Sequence, residues 1–112
     1  MDLTGFAEQW ISDWNSHDIE RVLSHYKDDA ELRSPNALKM TGQGLIRGRE
    51  ALRAYWAPAL HLRLKLRVYL KQAFIGFQTI SIYYGDELGR NVIETLVFEA
   101  SGTSTFGCGC YA

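Results

Sequence analysis

One acidic residue stands inside a stretch of sequence that is otherwise apolar. Glu94 shares one side of a predicted strand with Val92, Leu96 and Phe98, because side chains two residues apart point to the same face. A carboxyl group among apolar side chains loses hydration, so its pKa rises or it requires a hydrogen-bond donor. We therefore predict that Glu94 faces inward as an acid/base group. The alternative is a structural carboxylate, paired with an arginine or tyrosine or hydrated at the sheet edge.

A set of aromatic side chains lies on the predicted helices that face the sheet: Trp10, Trp14, Tyr26, Tyr55 and Trp56. They are either large core residues, as most such sets are, or the walls of an apolar cavity with a few polar tips. A buried tyrosine hydroxyl needs a partner, and the Glu94 carboxyl would serve Tyr26. We predict Glu94 and Tyr26 as the catalytic pair. The other four aromatic residues and Leu96, which shares the face of Glu94, are predicted to line the pocket.

The histidines and cysteines do not indicate a metal or redox site. His17, His25 and His61 lack the spacing of metal ligands, so we predict no metal. Cys108 and Cys110 are two residues apart on a predicted strand and share one face, which is poor geometry for a disulfide. We expect both to be thiols packed as small buried residues, and we expect no cofactor.

Three helices are predicted to support these residues. Apolar positions at steps of three and four residues predict the first helix over 6–14. A second, short helix begins at Asp18 as its N-cap, carries Tyr26 and ends in the charged residues that follow. The third helix follows Gly48 and ends or kinks near Pro58, because proline cannot donate the hydrogen bond that a helix requires there.

Strands dominate the second half of the chain. Leucine or valine occupies every second position from Leu60, with mostly charged residues between, which predicts a strand from near Leu64 with one wet face. The four long strands are predicted at 64–71, 73–84, 90–100 and 103–112. A short strand at 30–33 and an ordered loop at 34–48, with at most a short extended piece, come before the third helix. The fold class is therefore α+β, with three helices packed on a curved, mostly antiparallel sheet around a conical space.

Two of the predicted strands, 73–84 and 90–100, are apolar on both sides. A sheet with one hydrated face does not require this pattern. One face is expected to cover the helices, and the other to meet a second copy of the chain in a two-fold homodimer.

Length and composition indicate one ordinary domain of 112 residues. No window approaches 18 uncharged apolar residues, so we predict no membrane span and no membrane partner. The first residues have neither the basic region nor the apolar core of a signal peptide. A cytoplasmic location is therefore the expectation.

The net charge of −1 hides an uneven distribution. The balance is −6 over residues 1–32, +8 over 33–71 and −3 over 72–112. Four basic residues of the middle part, Arg63, Lys65, Arg67 and Lys71, share one face of the strand predicted there. They are either a site for a polyanion such as a nucleic acid or solvated side chains near acidic ones, and we favour the second interpretation.

Four segments of the chain resemble the nuclear transport factor 2-like superfamily, in its SnoaL-like branch, with ketosteroid isomerase as a relative. In chain order they are WNSHDI at 14–19, YKDDA at 26–30, GREAL at 48–52 and VIETLVF at 92–98. The resemblance implies one SnoaL-like domain over residues 1–112 with a cone-shaped, cystatin-like roll. It implies less about chemistry, since this fold hosts isomerases, dehydratases, cyclases, hydrolases and binding modules.

The comparison with ketosteroid isomerase matches the site position by position. Its acid on a late strand matches Glu94, and its supporting tyrosine matches Tyr26. Its oxyanion tyrosine, a further helix tyrosine and its general-base aspartate match Trp10, Trp56 and Ser34. Because a serine hydroxyl is too weak a base to move a proton between carbons, steroid isomerisation is not expected, and Ser34 is predicted as a pocket residue. SnoaL-like cyclases resemble the remaining set more, since they use a lone carboxylic acid over an apolar pocket for an aldol-type ring closure.

Three functions follow, the first two nearly equal. The first is an acid/base enzyme without a cofactor that acts on a small, mostly apolar carbonyl compound, with Glu94 as the acid and Tyr26 as its partner. The second is a ligand-binding or dimeric interaction module in which Glu94 is structural. Polyanion binding ranks well below both.

Overall fold

Helices and strands alternate in the first half of the chain, and strands alone make up the second half. The computed structural model describes residues 2–112. The helices are α1 (Phe6–Asn15), α2 (Ile19–Leu23), α3 (Pro35–Thr41) and α4 (Arg49–Leu62). The strands are β1 (Tyr26–Arg33), β2 (Leu45–Arg47), β3 (Val68–Gly76), β4 (Thr79–Asp86), β5 (Asn91–Phe98) and β6 (Ser104–Tyr111).

A fourth helix, α3, occupies part of the segment that the sequence predicts as a loop. Ser34 is its N-cap, and its hydroxyl oxygen accepts hydrogen bonds from the backbone amides of Asn36 at 3.2 Å and Ala37 at 3.3 Å. Pro35 takes the first helical position, where its missing N–H is not needed. Gly42 ends the helix in the left-handed conformation, with φ of 82°. The loop prediction overlooked that serine, proline and glycine in this order start and stop a helix. The short extended piece is present as β2.

Tyr26 is the first residue of β1 and does not belong to α2, which ends at Leu23. The charged residues predicted to end the helix continue the strand instead. β1 runs parallel to β6, with Tyr26 opposite Ser104. Pairing with a neighbouring strand satisfies the backbone here, and it outweighs the weak helical tendency of so short a segment.

Helix α4 continues past Pro58 to Leu62, so of the two outcomes predicted there, an end or a kink, the end is wrong. Leu60 is 1% exposed and holds the last turn in the core. This packing outweighs the one hydrogen bond that the proline removes. The alternating stretch that follows is a helix end and a turn rather than a strand, and β3 begins only at Val68.

The basic residues of this stretch therefore do not form the strand face predicted for a polyanion. Arg63, Lys65 and Arg67 lie between α4 and β3. Lys71 lies within β3 and donates a hydrogen bond to Oδ1 of Asn91 at 2.5 Å. Leucine alternates with basic residues here although the segment 60–67 is not part of the sheet. Among residues 2–112, strand pairing on this side begins only at Val68.

The six strands form one sheet in the order β2-β1-β6-β5-β4-β3. β1 and β6 are parallel, and the other neighbouring pairs are antiparallel. The turn between β3 and β4 lies at Phe77 and Gln78, the latter with φ of 49°, whereas the sequence places this boundary near residue 72. A bulge between Leu70 and Gln72 shifts the register of β3, and bulges of this kind bend a strand locally.

The core lies between the helices and one face of the sheet. Ile80, Ile82 and Leu96 point inward from β4 and β5 and are fully buried, as are Leu23 and Leu52 from the helices. The α+β class, with helices on one face of a mostly antiparallel sheet, is confirmed. Within residues 2–112, no helix is both long enough and apolar enough to span a membrane.

Candidate functional site

Glu94 lies in the middle of β5, opposite Ile82 of β4 and Gly109 of β6. It is 9% exposed, and its Oε2 atom is covered without a hydrogen-bond partner among residues 2–112. Burial raises the pKa of Glu94 from its ordinary value of 4.5 to about 8, because the charged carboxylate would lose its hydration. Near neutral pH the carboxyl group therefore carries a proton.

A glycine makes room for this carboxyl group. A Cβ atom placed on Gly109 would lie 3.2 Å from Oε1 of Glu94 and 3.7 Å from the ring of Tyr111. A second glycine, Gly107, has the same relation to Leu96, at 3.0 Å. Glycine weakens a strand interior and often marks a close approach by another group. The two glycines let the inward side chains of β5 lie across β6.

A cavity of about 570 Å³ opens beside Glu94, between the sheet and helices α1, α3 and α4. Its inner wall is aromatic. Trp14 meets Trp56 edge-on with 5.2 Å between ring centroids, and Trp10 lies 5.3 Å from Tyr84. The polar side chains that share the lining with Glu94 include Ser34, Asn36, Tyr55, Asp86, Arg90 and Tyr111, and the lining also contains Lys39, Thr41 and Arg63. A space of this size, mostly apolar with a few polar groups, suits a small molecule.

The structure brings together most of the residues that the sequence selects. Glu94, Trp10, Trp14, Ser34, Tyr55 and Trp56 all line the cavity. Tyr26 lies behind the wall, where its hydroxyl accepts a hydrogen bond from Nε1 of Trp10 at 3.3 Å. No hydrogen bond joins Tyr26 to Glu94 within the described residues. Leu96 is fully buried in the core and does not line the cavity.

The hydroxyl groups around the cavity already accept hydrogen bonds from the protein. The oxygen of Ser34 caps α3, and the hydroxyl of Tyr55 accepts a hydrogen bond from Nδ2 of Asn36 at 2.7 Å. A hydroxyl has one proton to donate besides its lone pairs. The hydroxyl oxygen of Tyr111 is an acceptor for the proton of Ser34, whereas the proton of Tyr55 has no acceptor among residues 2–112. The Tyr55 hydroxyl is therefore a donor that is left for a ligand.

The tyrosines near Glu94 stay neutral at physiological pH. Burial, with the carboxyl of Glu94 nearby, raises the pKa of Tyr111 to about 12. The same two causes, burial first, raise the pKa values of Tyr84 and Tyr26 well above the ordinary value. Their hydroxyls can donate hydrogen bonds but cannot serve as bases near pH 7.

Ion pairs hold one side of the cavity entrance. Asp86, at the end of β4, accepts hydrogen bonds from the Arg90 backbone amide at 3.0 Å and from Nε of Arg90 at 2.7 Å. Burial opposes ionisation of Asp86, but these hydrogen bonds outweigh it and hold its pKa below the usual range. Arg63 donates to Oε2 of Glu87 at 3.1 Å. The charges on this side are paired, so Glu94 is the carboxyl group of the lining that carries a proton.

No cluster of three or more histidine, cysteine or acidic side chains that could hold a metal occurs in residues 2–112. His17 bonds to the backbone oxygen of Leu66 at 2.8 Å, and His25 bonds to Asp13 at 2.5 Å, both away from the cavity lining. Both cysteines are free thiols, Cys108 partly buried and Cys110 exposed. Both side chains lie on the side of β6 that faces away from the helices, so the prediction that they are buried is wrong for Cys110 and holds only in part for Cys108.

The sequence profile of the SnoaL-like domain matches residues 7–76. The chain belongs to the SnoaL-like family. A SnoaL-like protein of unknown function from Burkholderia thailandensis has a solved structure with 32% sequence identity and a TM-score of 0.94, covering 97% of this chain and 92% of that chain. The search of curated proteins finds no match.

More distant solved structures share the fold of this SnoaL-like domain. A protein with a cystatin-like fold from Methylobium petroleophilum is 18% identical with a TM-score of 0.78, covering 98% of this chain and 75% of that chain. An epoxide hydrolase/cyclase-like enzyme with a role in pyran ring formation in the polyether salinomycin is 10% identical with a TM-score of 0.76, covering 97% and 89%. At these identities the likeness concerns the fold alone.

Several residues that shape the site of this SnoaL-like domain escape sequence reasoning. Tyr111 and the pair of Asp86 and Arg90 enter the cavity from strand ends, and nothing in the spacing marks them. Gly109 has a visible signal, since glycine alternates with cysteine in 107–110 within a predicted strand. Such a pattern indicates that something approaches the backbone closely.

Proposed function

We propose that this SnoaL-like domain binds a small, mostly apolar carbonyl compound in its cavity and catalyses an acid/base reaction on it. The reaction is of the isomerase, cyclase or dehydratase type. The observation that supports this most is Glu94, a protonated carboxyl group with an unpaired oxygen beside an apolar cavity. A carboxyl with its pKa raised to about 8 is close enough to neutrality to give and take a proton under physiological conditions.

The proton balance of an aldol-type ring closure returns Glu94 to its starting state. The carboxyl group first donates its proton to one carbonyl oxygen of the substrate, and the resulting carboxylate takes a proton from the α carbon, which leaves an enol. The α carbon of the enol then bonds to a second carbonyl carbon while Glu94 protonates that carbonyl oxygen, which becomes a hydroxyl. The enol hydroxyl loses its proton to the Glu94 carboxylate and becomes a carbonyl again. The reaction therefore needs no further acid, base or oxidant.

Two donors in the lining support a ligand with acceptor atoms. The hydroxyl of Tyr55 has a proton left to donate after its internal hydrogen bond is made. The protonated Glu94 adds another donor. Ketones and ethers present acceptor oxygens on an apolar frame, and they match such a lining without leaving polar groups unpaired.

Tyr26 acts in this proposal as a positioning residue. Its hydroxyl holds the indole of Trp10, and the tryptophan forms the wall next to Tyr84. Replacing Tyr26 by phenylalanine should therefore loosen Trp10 and raise KM for the substrate, with a smaller effect on kcat.

Proteins of the same fold include the cyclase-like enzyme described above and a protein, TerC, that was co-crystallised with polyporic acid. The latter is 15% identical, so it supports only the capacity of the fold to hold such molecules. The acid/base assignment for this chain depends on Glu94 itself.

Proton exchange at the α carbon tests the proposal without knowledge of the natural substrate. Aryl ketones such as 1-tetralone are incubated with the protein in D₂O, and deuterium uptake is followed by NMR. The wild-type protein should accelerate uptake, and Glu94→Gln should abolish the acceleration. Glu99→Gln, the same change on a partly exposed carboxylate outside the cavity lining, is the matched control. Equal acceleration by wild type and Glu94→Gln would exclude Glu94 as the acid. Binding of the ketone without any exchange in the wild type would favour the non-catalytic ligand-binding alternative.

We also propose that the outer face of the sheet forms a two-fold homodimer. Tyr69, Phe74 and Ile93 lie on this face and are 53%, 53% and 42% exposed. An apolar surface of this kind is typical of an interface. The wild-type protein should sediment as a dimer and a Phe74→Lys, Ile93→Lys variant as a monomer. A monomeric wild type would refute the interface.

A further inference from the structure

The nine basic residues of the middle of the chain divide into two groups. Within residues 2–112, four arginines form ion pairs with carboxylates: Arg47, Arg49, Arg53 and Arg63. The other five form none among the same residues: Arg33, Lys39, Lys65, Arg67 and Lys71. Arg67 lies 5.9 Å from the ring centroid of Tyr69, Arg33 lies 5.7 Å from that of Phe106, and Lys71 bonds to Asn91. Three of the five cations without an ion pair therefore lie on α3 and on the segment between α4 and β3.

The same region presents aliphatic side chains to solvent. Met40, Leu62 and Leu88 line the cavity and are 69%, 82% and 64% exposed, so they stand at its entrance. Leu64, in the segment after α4, is 79% exposed. They come from three separate parts of the chain, namely α3, the end of α4 with the segment that follows it, and the turn between β4 and β5. We call Met40, Leu62, Leu64 and Leu88 the aliphatic rim.

The side chains of the rim are held in their exposed positions, because hydrogen bonds fix the backbone around them. His17 binds the carbonyl of Leu66 at 2.8 Å. Asn15 donates to the carbonyl of Val68 at 3.0 Å and accepts from its amide at 2.8 Å. Glu87 accepts a hydrogen bond from Arg63 and so ties the β4–β5 turn to the segment. Large aliphatic side chains held outward in this way mark an interaction surface.

We propose that the aliphatic rim, with Lys39, Lys65 and Arg67, docks onto an anionic lipid surface, so that the cavity entrance faces the bilayer. The leucines and the methionine enter the headgroup region, and the three cations contact lipid phosphates. An apolar ligand concentrated in the bilayer then reaches the cavity without crossing water. A surface contact of this kind needs no membrane-spanning segment.

A lipid surface fits the rim better than a protein partner does. The centres of protein interfaces are enriched in aromatic side chains that fill pockets on the partner, whereas the rim consists of aliphatic side chains and lies beside Lys39, Lys65 and Arg67. Protruding leucines beside lysine and arginine are typical of segments that lie on a membrane. A protein seated on the rim would also close the entrance, whereas a lipid leaflet leaves it open to apolar molecules.

Sedimentation with vesicles tests the proposal. The protein should bind vesicles of phosphatidylcholine mixed with phosphatidylglycerol and should not bind phosphatidylcholine alone. Salt should weaken the binding, since the attraction of the cations is screened. Lys65→Ser should weaken it about fivefold, and the double variant Leu62→Ser, Leu64→Ser about tenfold or more. Phe77→Ser, which removes an 87% exposed side chain at the β3–β4 turn, should leave it unchanged.

Each contrary result has a defined meaning. Absence of binding to the phosphatidylglycerol vesicles overturns the proposal. Binding that survives the loss of both leucines, or that Phe77→Ser weakens equally, also overturns it, because the rim would then not be the contact. Binding to soluble polyglutamate but not to vesicles would assign the rim to an acidic protein partner instead. Glu94→Gln should bind vesicles as the wild type does, so this inference and the proposed acid/base function can fail separately.

Discussion

Replacing Glu94 by glutamine should change how the stability of the protein depends on pH. In the folded state the pKa of Glu94 is raised to about 8, and in the unfolded chain it returns to 4.5. Between these values the folded state holds a proton that the unfolded state has lost. Stability contributed by this group is therefore complete at acidic pH and falls as the pH rises from about 4.5 to about 8.

The magnitude follows from the size of the shift. Each pH unit in this window lowers the free energy of unfolding by about 1.4 kcal/mol. The wild type should therefore lose about 3 kcal/mol between about pH 4.5 and pH 7, and about 5 kcal/mol by about pH 9. Glu94→Gln has no proton to lose at this position, so its stability should lack this slope. Groups that both proteins share contribute equally and cancel in the difference.

Urea unfolding followed by tryptophan fluorescence, repeated from about pH 5 to about pH 9, measures this difference. Glu94→Gln should become more stable relative to the wild type as the pH rises. Glu99→Gln should keep the slope of the wild type, because hydrogen bonds from Ser101 and Lys27 hold the pKa of Glu99 below its usual range. Parallel curves for wild type and Glu94→Gln would show that the carboxyl is hydrated or paired, and the reasoning from burial would be wrong.

Three further substitutions test the surroundings of the site. Gly109→Ala places a Cβ 3.2 Å from Oε1 of Glu94. It should lower the free energy of unfolding in urea by about 1–3 kcal/mol and slow α-proton exchange. An unchanged exchange rate would show that the carboxyl has room to move. Ser34→Ala removes the cap of α3 and should cost about 1 kcal/mol, measured by the same unfolding experiment, with Ser34→Asn as the variant that should restore it. Asp13→Ala removes the buried carboxylate that bonds Arg21 and His25. It should lower the free energy of unfolding by about 2 kcal/mol. The rate of α-proton exchange per folded molecule should stay at the wild-type value, because Asp13 does not line the cavity.

Sequence periodicity predicted the layers of the fold well and the ends of its elements poorly. The alternation in β5 placed Glu94 on the inward face because a period of two allows only two faces. The stretch from Leu60 to Arg67 has the same period, yet it forms a helix end and a turn. Periodicity there could not show that only Leu60 and Leu66 find a core to enter, since burial depends on the packing of distant segments.

The part of the site that depends on residue type alone could be predicted from the sequence. Glu94 and the three tryptophans stand out because of their side-chain chemistry and size, and in the structure all four line one cavity. The hydrogen-bond partner of Tyr26 could not be predicted, because the sequence placed Tyr26 on the second helix. In the structure α2 ends at Leu23 and Tyr26 is the first residue of β1. Its hydroxyl consequently meets Trp10 rather than Glu94. Tyr111 was missed for a similar reason, since its place depends on the register of β6 against β5.

Two features that each lower stability coincide at one point of the sheet. A buried carboxyl without a partner opposes folding by about 3 kcal/mol at about pH 7, and glycine in a strand interior by a further ~0.5–1 kcal/mol. Glu94 and Gly109 lie directly opposite each other on neighbouring strands. Because glycine has no Cβ, the carboxyl group can lie against the backbone of β6. A smaller apolar side chain at 94 with alanine at 109 would avoid both costs. Natural sequences depart from local consistency chiefly where function requires it, and here both departures serve a carboxyl group that lines the cavity.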